Sequence, residues 1–207
     1  MKRVVVFGAS GETGRRIVMR ALEAGHEVVA VHRTPPSVMA VHERHTVHMA
    51  DPLKADEIRK AIEGADVVVH AIGPKRSAGA RVTVSSEVMA NLLPAMRELG
   101  VRRLLFVSAF GTGASRRGFY TKLLWTAIRR RMEDKERAEA MLRASGLEWF
   151  IALPTILMNA PPTGRYRVGT GLDVTAFPRI SRDDVADLIV RRIEGPEMIG
   201  TTVEITD

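Results

Sequence analysis

Two hydrophobic periods alternate along the chain. Short runs of near-continuous apolar residues, rich in valine and isoleucine, lie at residues 3–8, 27–33, 45–51, 65–73, 103–111 and 147–155, with a last run at 201–207. Each is bounded by glycine or by charged residues and reads as a strand buried on both faces. Between them the period lengthens. Residues 12–24 place Ile17, Val18, Ala21 and Leu22 on one helical face, with Gly25 as the stop. Further helices are predicted over 56–64, ending at Gly64; over 83–99, with Pro94 as a local obstacle and Gly100 as the stop; and over 119–145, with a break near 131. Residues 181–195 open on a serine and aspartate start signal and make a late helix. The pair Pro35 and Pro36 interrupts the chain after the second strand. Apolar strands alternating with helices predict an α/β protein, a doubly wound parallel sheet of the Rossmann fold covered on both faces. With 207 residues and no tandem repeat, low-complexity tract or linker, residues 1–207 are expected to form a single domain.

Composition narrows the chemistry. The chain has no cysteine, which excludes disulfides, thiolate metal sites and cysteine nucleophiles. Only a four-residue apolar run, residues 4–7, precedes the first glycine, too short for the core of a signal peptide, and no run approaches the length of a membrane span. A cytoplasmic location is expected. The formal net charge is +7, and much of the arginine falls between Arg102 and Arg131. Such an excess can attract anionic small molecules, nucleic acid or a membrane surface. No nucleic-acid-binding motif is present, so the expected partner is a small molecule.

The sharpest motif lies where the first strand gives way to the first helix. In VVVFGASGETGRRIV, residues 4–18, Gly8, Gly11 and Gly14 are spaced G-x-x-G-x-x-G. A helix start carries unpaired backbone N–H groups and the positive end of the dipole, and both attract a phosphate. Glycines remove the side chains that would block it. Gly8 permits the turn, Gly11 lets a pyrophosphate approach and Gly14 lets the helix pack closely. Ser10 and Thr13 can add hydroxyl donors, and Glu12 completes the turn. A site selective for NAD would carry Asp or Glu at the end of the second strand to bind the ribose hydroxyls. Here His32 and Arg33 stand there. An arginine pairs with a 2′-phosphate that a carboxylate would repel, so the expected cofactor is NADP(H). Arg15 is a second phosphate partner. Asp51, with Pro52 beside it at the end of the third strand, is placed to meet the adenine amino group.

Taken together, FGASGETGRRIVMRALEAGHEVVAVHR, ADVVVHAIG, GVRRLLFVSAFG, LRASGLEWFIALPT and PPTGRYRV, in that order, carry a resemblance. The chain resembles the atypical short-chain dehydrogenase/reductase family, in its NmrA-like group, and within it the branch of biliverdin-IXβ reductase and NADPH-dependent flavin reductase. The likeness spans nearly the whole chain. It implies backbone contacts to the cofactor from Ala71, Ile72, Gly73 and Pro74 after the fourth strand. It also implies that Ser108, with Ala109 and Phe110, lies near the nicotinamide, and that Leu153, Pro154 and Thr155 border the carboxamide. A monomer is implied more than a dimer.

Two departures bear on the chemistry. The histidine that the reductase branch carries after the sixth strand is Ile156 here, and Tyr-x-x-x-Lys is absent because Tyr120 is followed four residues on by Leu124, with Lys122 at the wrong spacing. Lys135 takes a place where many NmrA-like chains carry a lysine. It either reaches the ribose or polarises a substrate, or it forms an ordinary ion pair with Glu139 one turn on. Ser108 and Lys135 are therefore the candidate catalytic residues. Residues 114–135 admit three readings: an amphipathic lid that draws in an anionic substrate, a membrane or nucleic-acid patch, or a covering helix with a solvated arginine face. Its stripe of Tyr120, Leu123, Leu124, Ala127 and Ile128 leaves Trp125 aside. His42, His45 and His48 fall three apart, which puts successive strand residues on opposite faces, so no metal is expected. His70 reads as a core or cofactor-edge histidine, and Asp183 with Asp184 as helix-start carboxylates. The expected function is an NADPH-dependent oxidoreductase that passes a hydride to a planar conjugated acceptor (flavin, quinone or tetrapyrrole-like). The alternative is an NADP(H)-binding redox sensor without turnover.

Overall fold

The computed structural model describes residues 1–36, 42–73, 83–175, 177–195 and 199–207, the side chain of Tyr120 excepted. Pro74 lies outside the described residues. In chain order the elements are β1 (Arg3–Phe7), α1 (Glu12–Glu23), β2 (Glu27–His32), β3 (His45–Met49), α2 (Ala55–Ala61), β4 (Val67–His70) and α3 (Val84–Glu98). They continue with β5 (Arg103–Val107), a 3-10 turn (Gly113–Ser115), α4 (Gly118–Arg143), β6 (Glu148–Pro154), β7 (Ile156–Met158), β8 (Arg167–Gly169), β9 (Arg179–Ser181), α5 (Arg182–Glu194) and β10 (Thr201–Thr206).

The main sheet runs β3-β2-β1-β4-β5-β6-β10-β8. All of its pairings are parallel except β10 with β8. From β1 the chain winds outward to β2 and β3, then returns to lay β4 on the other side of β1. That reversal leaves a crevice at the carboxyl ends of β1 and β4, where open α/β sheets bind ligands.

The alternation within each strand serves both faces. Val4 and Val6 of β1 join Ile17, Val18, Val185 and Leu188 in a core beneath α1 and α5. Val5 and Phe7 join Ile58, Met89, Leu92, Ala138 and Leu142 beneath α2, α3 and α4. Phe106 is fully buried in this second core. A side chain of that size contributes about 1.5–3 kcal/mol by leaving water.

Several expectations shift at their edges. The strands predicted over 65–73 and 103–111 stop at His70 and Val107, although the backbone just beyond still donates to neighbouring strands, Ala71 to Phe7 and Ser108 and Phe110 to Ala152 and Pro154. The short pair β7 and β9 and the antiparallel β8 had no readable period, each being three residues long. Pro94 stays within α3 on its exposed side. The break in α4 falls at Ile128 (φ −135°, ψ 33°) rather than near 131.

The α4 stripe also needs correction. Leu123 is 49% exposed and Ala127 is exposed, whereas Trp125 is only 8% exposed. Trp125 turns inward because its Nε1–H donates to the Gly111 carbonyl (2.8 Å) and the Arg116 guanidinium stacks on its ring (3.6 Å to the centroid). The kink at Ile128 then changes the helical phase. Among the described residues, no helix is long and apolar enough to cross a membrane.

Candidate functional site

The β1–α1 turn is built by contact between backbones. Gly8 has φ +90°, and a Cβ there would lie 2.8 Å from the Ala71 carbonyl atoms. A Cβ on Gly14 would lie 2.1 Å from the Gly8 oxygen, so α1 packs directly on the turn. A Cβ on Gly11 would meet only the Gly8 oxygen, at 3.2 Å, and would otherwise face open space. Gly11 is the N-cap, and no side chain caps α1. Two glycines thus shape a cradle and the third leaves its front open, which fits a dinucleotide pyrophosphate. The Glu12 carboxylate is turned aside to Arg16 (2.9 Å), which also binds Asp183 at the start of α5 (2.8 Å). The Arg16 hydrogen bond and the nearby arginines hold the Glu12 carboxyl below the usual carboxylate range.

The adenosine side is the carboxyl end of β2 and β3. His32 ends β2, 7% exposed, with Nδ1 2.9 Å from Ser10 Oγ, and Arg33 follows it, exposed. Asp51 accepts from the Leu53 N–H (3.1 Å), and buried Pro52 offers its carbonyl to Asn91 (3.5 Å).

Across the crevice, the Ala71 N–H donates to the Phe7 carbonyl (2.9 Å), and Ser85 Oγ donates to the Ile72 carbonyl (3.3 Å). Gly73 is exposed. The Phe110 and Ser108 N–H groups donate to Pro154 and Ala152 carbonyls (2.9 Å each). Leu153, Pro154 and Thr155 are buried, and Ala109 is half-buried. The Phe110 ring is buried, with the Arg117 guanidinium 5.6 Å from its centroid.

Ser108 and Lys135 do come together at the end of β5, though not as a lysine–Glu139 ion pair. Glu139, 1% exposed, accepts from Ser108 Oγ (2.5 Å), Thr112 Oγ1 (2.6 Å) and Arg143 Nη2 (2.8 Å). Lys135 instead donates from Nζ to the Val107 carbonyl (3.1 Å), 5.2 Å from the Phe106 ring centroid. Burial lowers its pKa to about 8, against the pull of Glu139 and Asp134. His70 stacks on Phe106 (4.8 Å) and is held neutral, its pKa lowered to about 3 by burial and then by the Lys135 charge.

Asp134 and Thr112 were not among the residues singled out from sequence. Asp134 is fully buried and accepts from the Ser85 and Ser86 N–H groups (2.9 and 3.1 Å), closing the start of α3. The available signal was a carboxylate on the inward face of α4, between Met132 and Ala138, both buried. Near α5, Ser181 accepts from the Asp183 N–H, as a cap does. Asp184 does not serve the helix dipole alone: it accepts from the Thr163 and Gly164 N–H groups (3.0 Å each) and so holds the loop after β7. Arg117 forms a bidentate pair with buried Glu204 of β10, and Arg116 stacks on Trp125, so both of these arginines serve the fold. Among the described residues, no group of His, Asp and Glu could hold a metal ion.

Comparison with known proteins gives the family and the fold. Residues 8–196 match the family model described as NAD(P)H-binding. An uncharacterized chloroplastic protein of Arabidopsis thaliana is 29% identical over 220 residues, covering 99% of this chain and 76% of that one. An uncharacterized sugar epimerase of Bacillus subtilis is 26% identical, covering 99% and 94%. The chain spans only 14% of the length of the mycobacterial relatives it matches. Among solved structures, a Veillonella parvula short-chain dehydrogenase/reductase in complex with NADP superposes with a TM-score of 0.82 at 20% identity, covering 100% and 94%. An anaerobilin reductase of Escherichia coli O157:H7 does so with a TM-score of 0.81 at 20% identity, covering 98% and 96%. The fold is theirs, and by its own sequence the chain belongs to the NAD(P)H-binding family.

Proposed function

We propose that the protein is an NADPH-dependent reductase acting on a planar conjugated acceptor of the flavin, quinone or tetrapyrrole class, near the biliverdin-IXβ reductase branch of the NmrA-like group. The observation that carries this reading is the Lys135 amino group. It sits at the Val107 carbonyl beside Ser108, with a pKa of about 8, at the same sheet edge as the open glycine turn. NADPH would supply the hydride. The N–H groups of residues 12–14 would hold its pyrophosphate, since that of Gly11 is given to the Gly8 carbonyl (2.9 Å), while Arg33 would hold its 2′-phosphate and Asp51 with Pro52 its adenine. Residues 71–73 and 153–155 would flank the nicotinamide. Ser108 gives its hydroxyl proton to Glu139, so its oxygen is left to accept from an N–H donor, and it would orient ring or carboxamide. Lys135 would then offer the proton, or stabilise charge developing on the acceptor. A conjugated acceptor spreads that charge itself and needs little acid catalysis, which suits a chain with Ile156 in place of a histidine and without Tyr-x-x-x-Lys.

The test is a titration with NADPH and NADH, followed by steady-state assays with FMN, menadione and biliverdin. NADPH-selective binding with turnover of one acceptor is the expected result. Tight binding without turnover of any acceptor would overturn the reductase reading. It would favour the sensor, to which the commitment of the Ser108 proton to Glu139 also points. A sensor would bind NADPH and NADP⁺ with different affinities.

A further inference from the structure

The chain ends β2 with a histidine where an NAD site places a carboxylate, and that histidine is tied to the glycine turn. Ser10 Oγ and His32 Nδ1 lie 2.9 Å apart. Both open onto a groove of about 680 Å³ along the outer flank of α1. The charged and titratable groups sharing the groove are Arg15, Arg16, Arg20 and Glu23 from α1, His45 from β3 and Asp183 from α5. Arg16 is bound to Glu12 and Asp183, and Arg15 lies 3.6 Å from Glu12.

The geometry points to the Ser10–His32 pair as a protonation-dependent reader of the cofactor's 2′ position, so that the preference for NADP(H) over NAD(H) strengthens as the pH falls. This rests on the cofactor reading above. The reasoning follows from the inventory of donors. With His32 neutral, the Ser10 hydroxyl can give its proton to Nδ1 and offer only lone pairs outward. A ribose 2′-hydroxyl satisfies that arrangement, being donor and acceptor at once. With His32 protonated, Nδ1–H donates to Ser10 Oγ, and the hydroxyl proton turns outward toward an anion. The proton comes from solvent, and no covalent bond changes.

In the free protein, burial and then His45 hold His32 below the usual histidine range, so it is neutral near pH 7. A dianionic phosphate beside it would raise its pKa, so binding takes up a proton and tightens as pH falls. Arg33 is charged throughout this range and adds affinity without pH dependence.

The experiment compares 2′,5′-ADP with 5′-AMP, which differ in the 2′-phosphate and carry no nicotinamide, by calorimetry from pH 8.5 to 6.5. Wild type is expected to bind 2′,5′-ADP about fivefold more tightly at the lower pH, with proton uptake and with 5′-AMP unchanged. His32→Gln and Ser10→Ala should each abolish that gain, while Arg33→Ala should weaken 2′,5′-ADP at every pH and keep the slope. Ser10 is exposed, so its variant reports even if His32→Gln fails to fold. A wild-type slope in Ser10→Ala, or an equal slope for 5′-AMP, overturns the inference. Tight but pH-independent binding of 2′,5′-ADP by wild type removes this inference alone, whereas binding of neither 2′,5′-ADP nor NADPH removes the cofactor reading with it.

Discussion

The starts of α1 and α3 face the same edge of the sheet on either side of the crevice, and they are finished in opposite ways. α3 is closed from within: the buried Asp134 carboxylate, sent across from α4, takes the Ser85 and Ser86 N–H groups. α1 has no capping side chain, and its N-cap Gly11 faces open space apart from the Gly8 oxygen. Both helix starts present the same electrostatics, a positive dipole end with unpaired donors. What differs is whether the chain supplies the anion itself. At α3 it does, and that helix start is closed. At α1 it leaves the place for a ligand phosphate, and even Glu12, at the first helical position, turns its carboxylate away to Arg16.

The comparison can be broken most severely at Gly14. In Gly14→Ala the new methyl would lie 2.1 Å from the Gly8 oxygen, so α1 must move off its turn. Overpacking of this kind costs about 1–3 kcal/mol, and NADPH affinity should fall on the order of 100-fold. Differential scanning fluorimetry and nucleotide titration would read both. Removing the internal anion is the mirror test. Asp134→Ala strips two N–H groups of their acceptor and should lower stability by about 2–3 kcal/mol in urea unfolding, with added phosphate giving no rescue.

A smaller effect sharpens the α1 side alone. Arg33→Ala should weaken NADPH by about tenfold, or about 1.4 kcal/mol, and leave NADH unchanged in a fluorescence titration.

The last concerns Lys135, which follows Asp134 in α4 and donates to the Val107 carbonyl. Its folded pKa of about 8 is below the ordinary 10.5, so the unfolded chain holds more protons between those values. Lys135 therefore makes stability rise with pH across that window and costs stability below it. Lys135→Met should show a flatter stability profile from pH 8 to 10.5 and a gain near pH 7. If Lys135 is the proton donor, turnover by wild type should decline above about pH 8 and that decline should vanish in the variant.

The nucleotide half was the more legible from sequence. Val4, Val5 and Val6 followed by Gly8, Gly11 and Gly14 form one local motif, and neighbouring residues carry its whole meaning. The reactive half is assembled from residues far apart. Ser108, Thr112 and Glu139 meet only because α4 packs behind β5, and Lys135 exchanges its expected partner Glu139 for the Val107 carbonyl because Ser108, Thr112 and Arg143 already occupy the carboxylate. The α4 stripe misled for a related reason. The Gly111 carbonyl and the Arg116 guanidinium, both outside the helix, hold Trp125 inward and leave Leu123 and Ala127 exposed.

By itself the sequence determined the alternation of strand and helix, the burial of both sheet faces, and the open glycine turn, since each is a matter of period, branching or missing side chains among neighbours. Only the tertiary structure decided which polar groups are spent. It gave Glu139 to Ser108, Asp134 to α3, Asp184 to the loop after β7 and His32 to Ser10. Hydrogen-bond partnership depends on distances of a few ångströms between residues remote in the chain, and no local pattern encodes those distances.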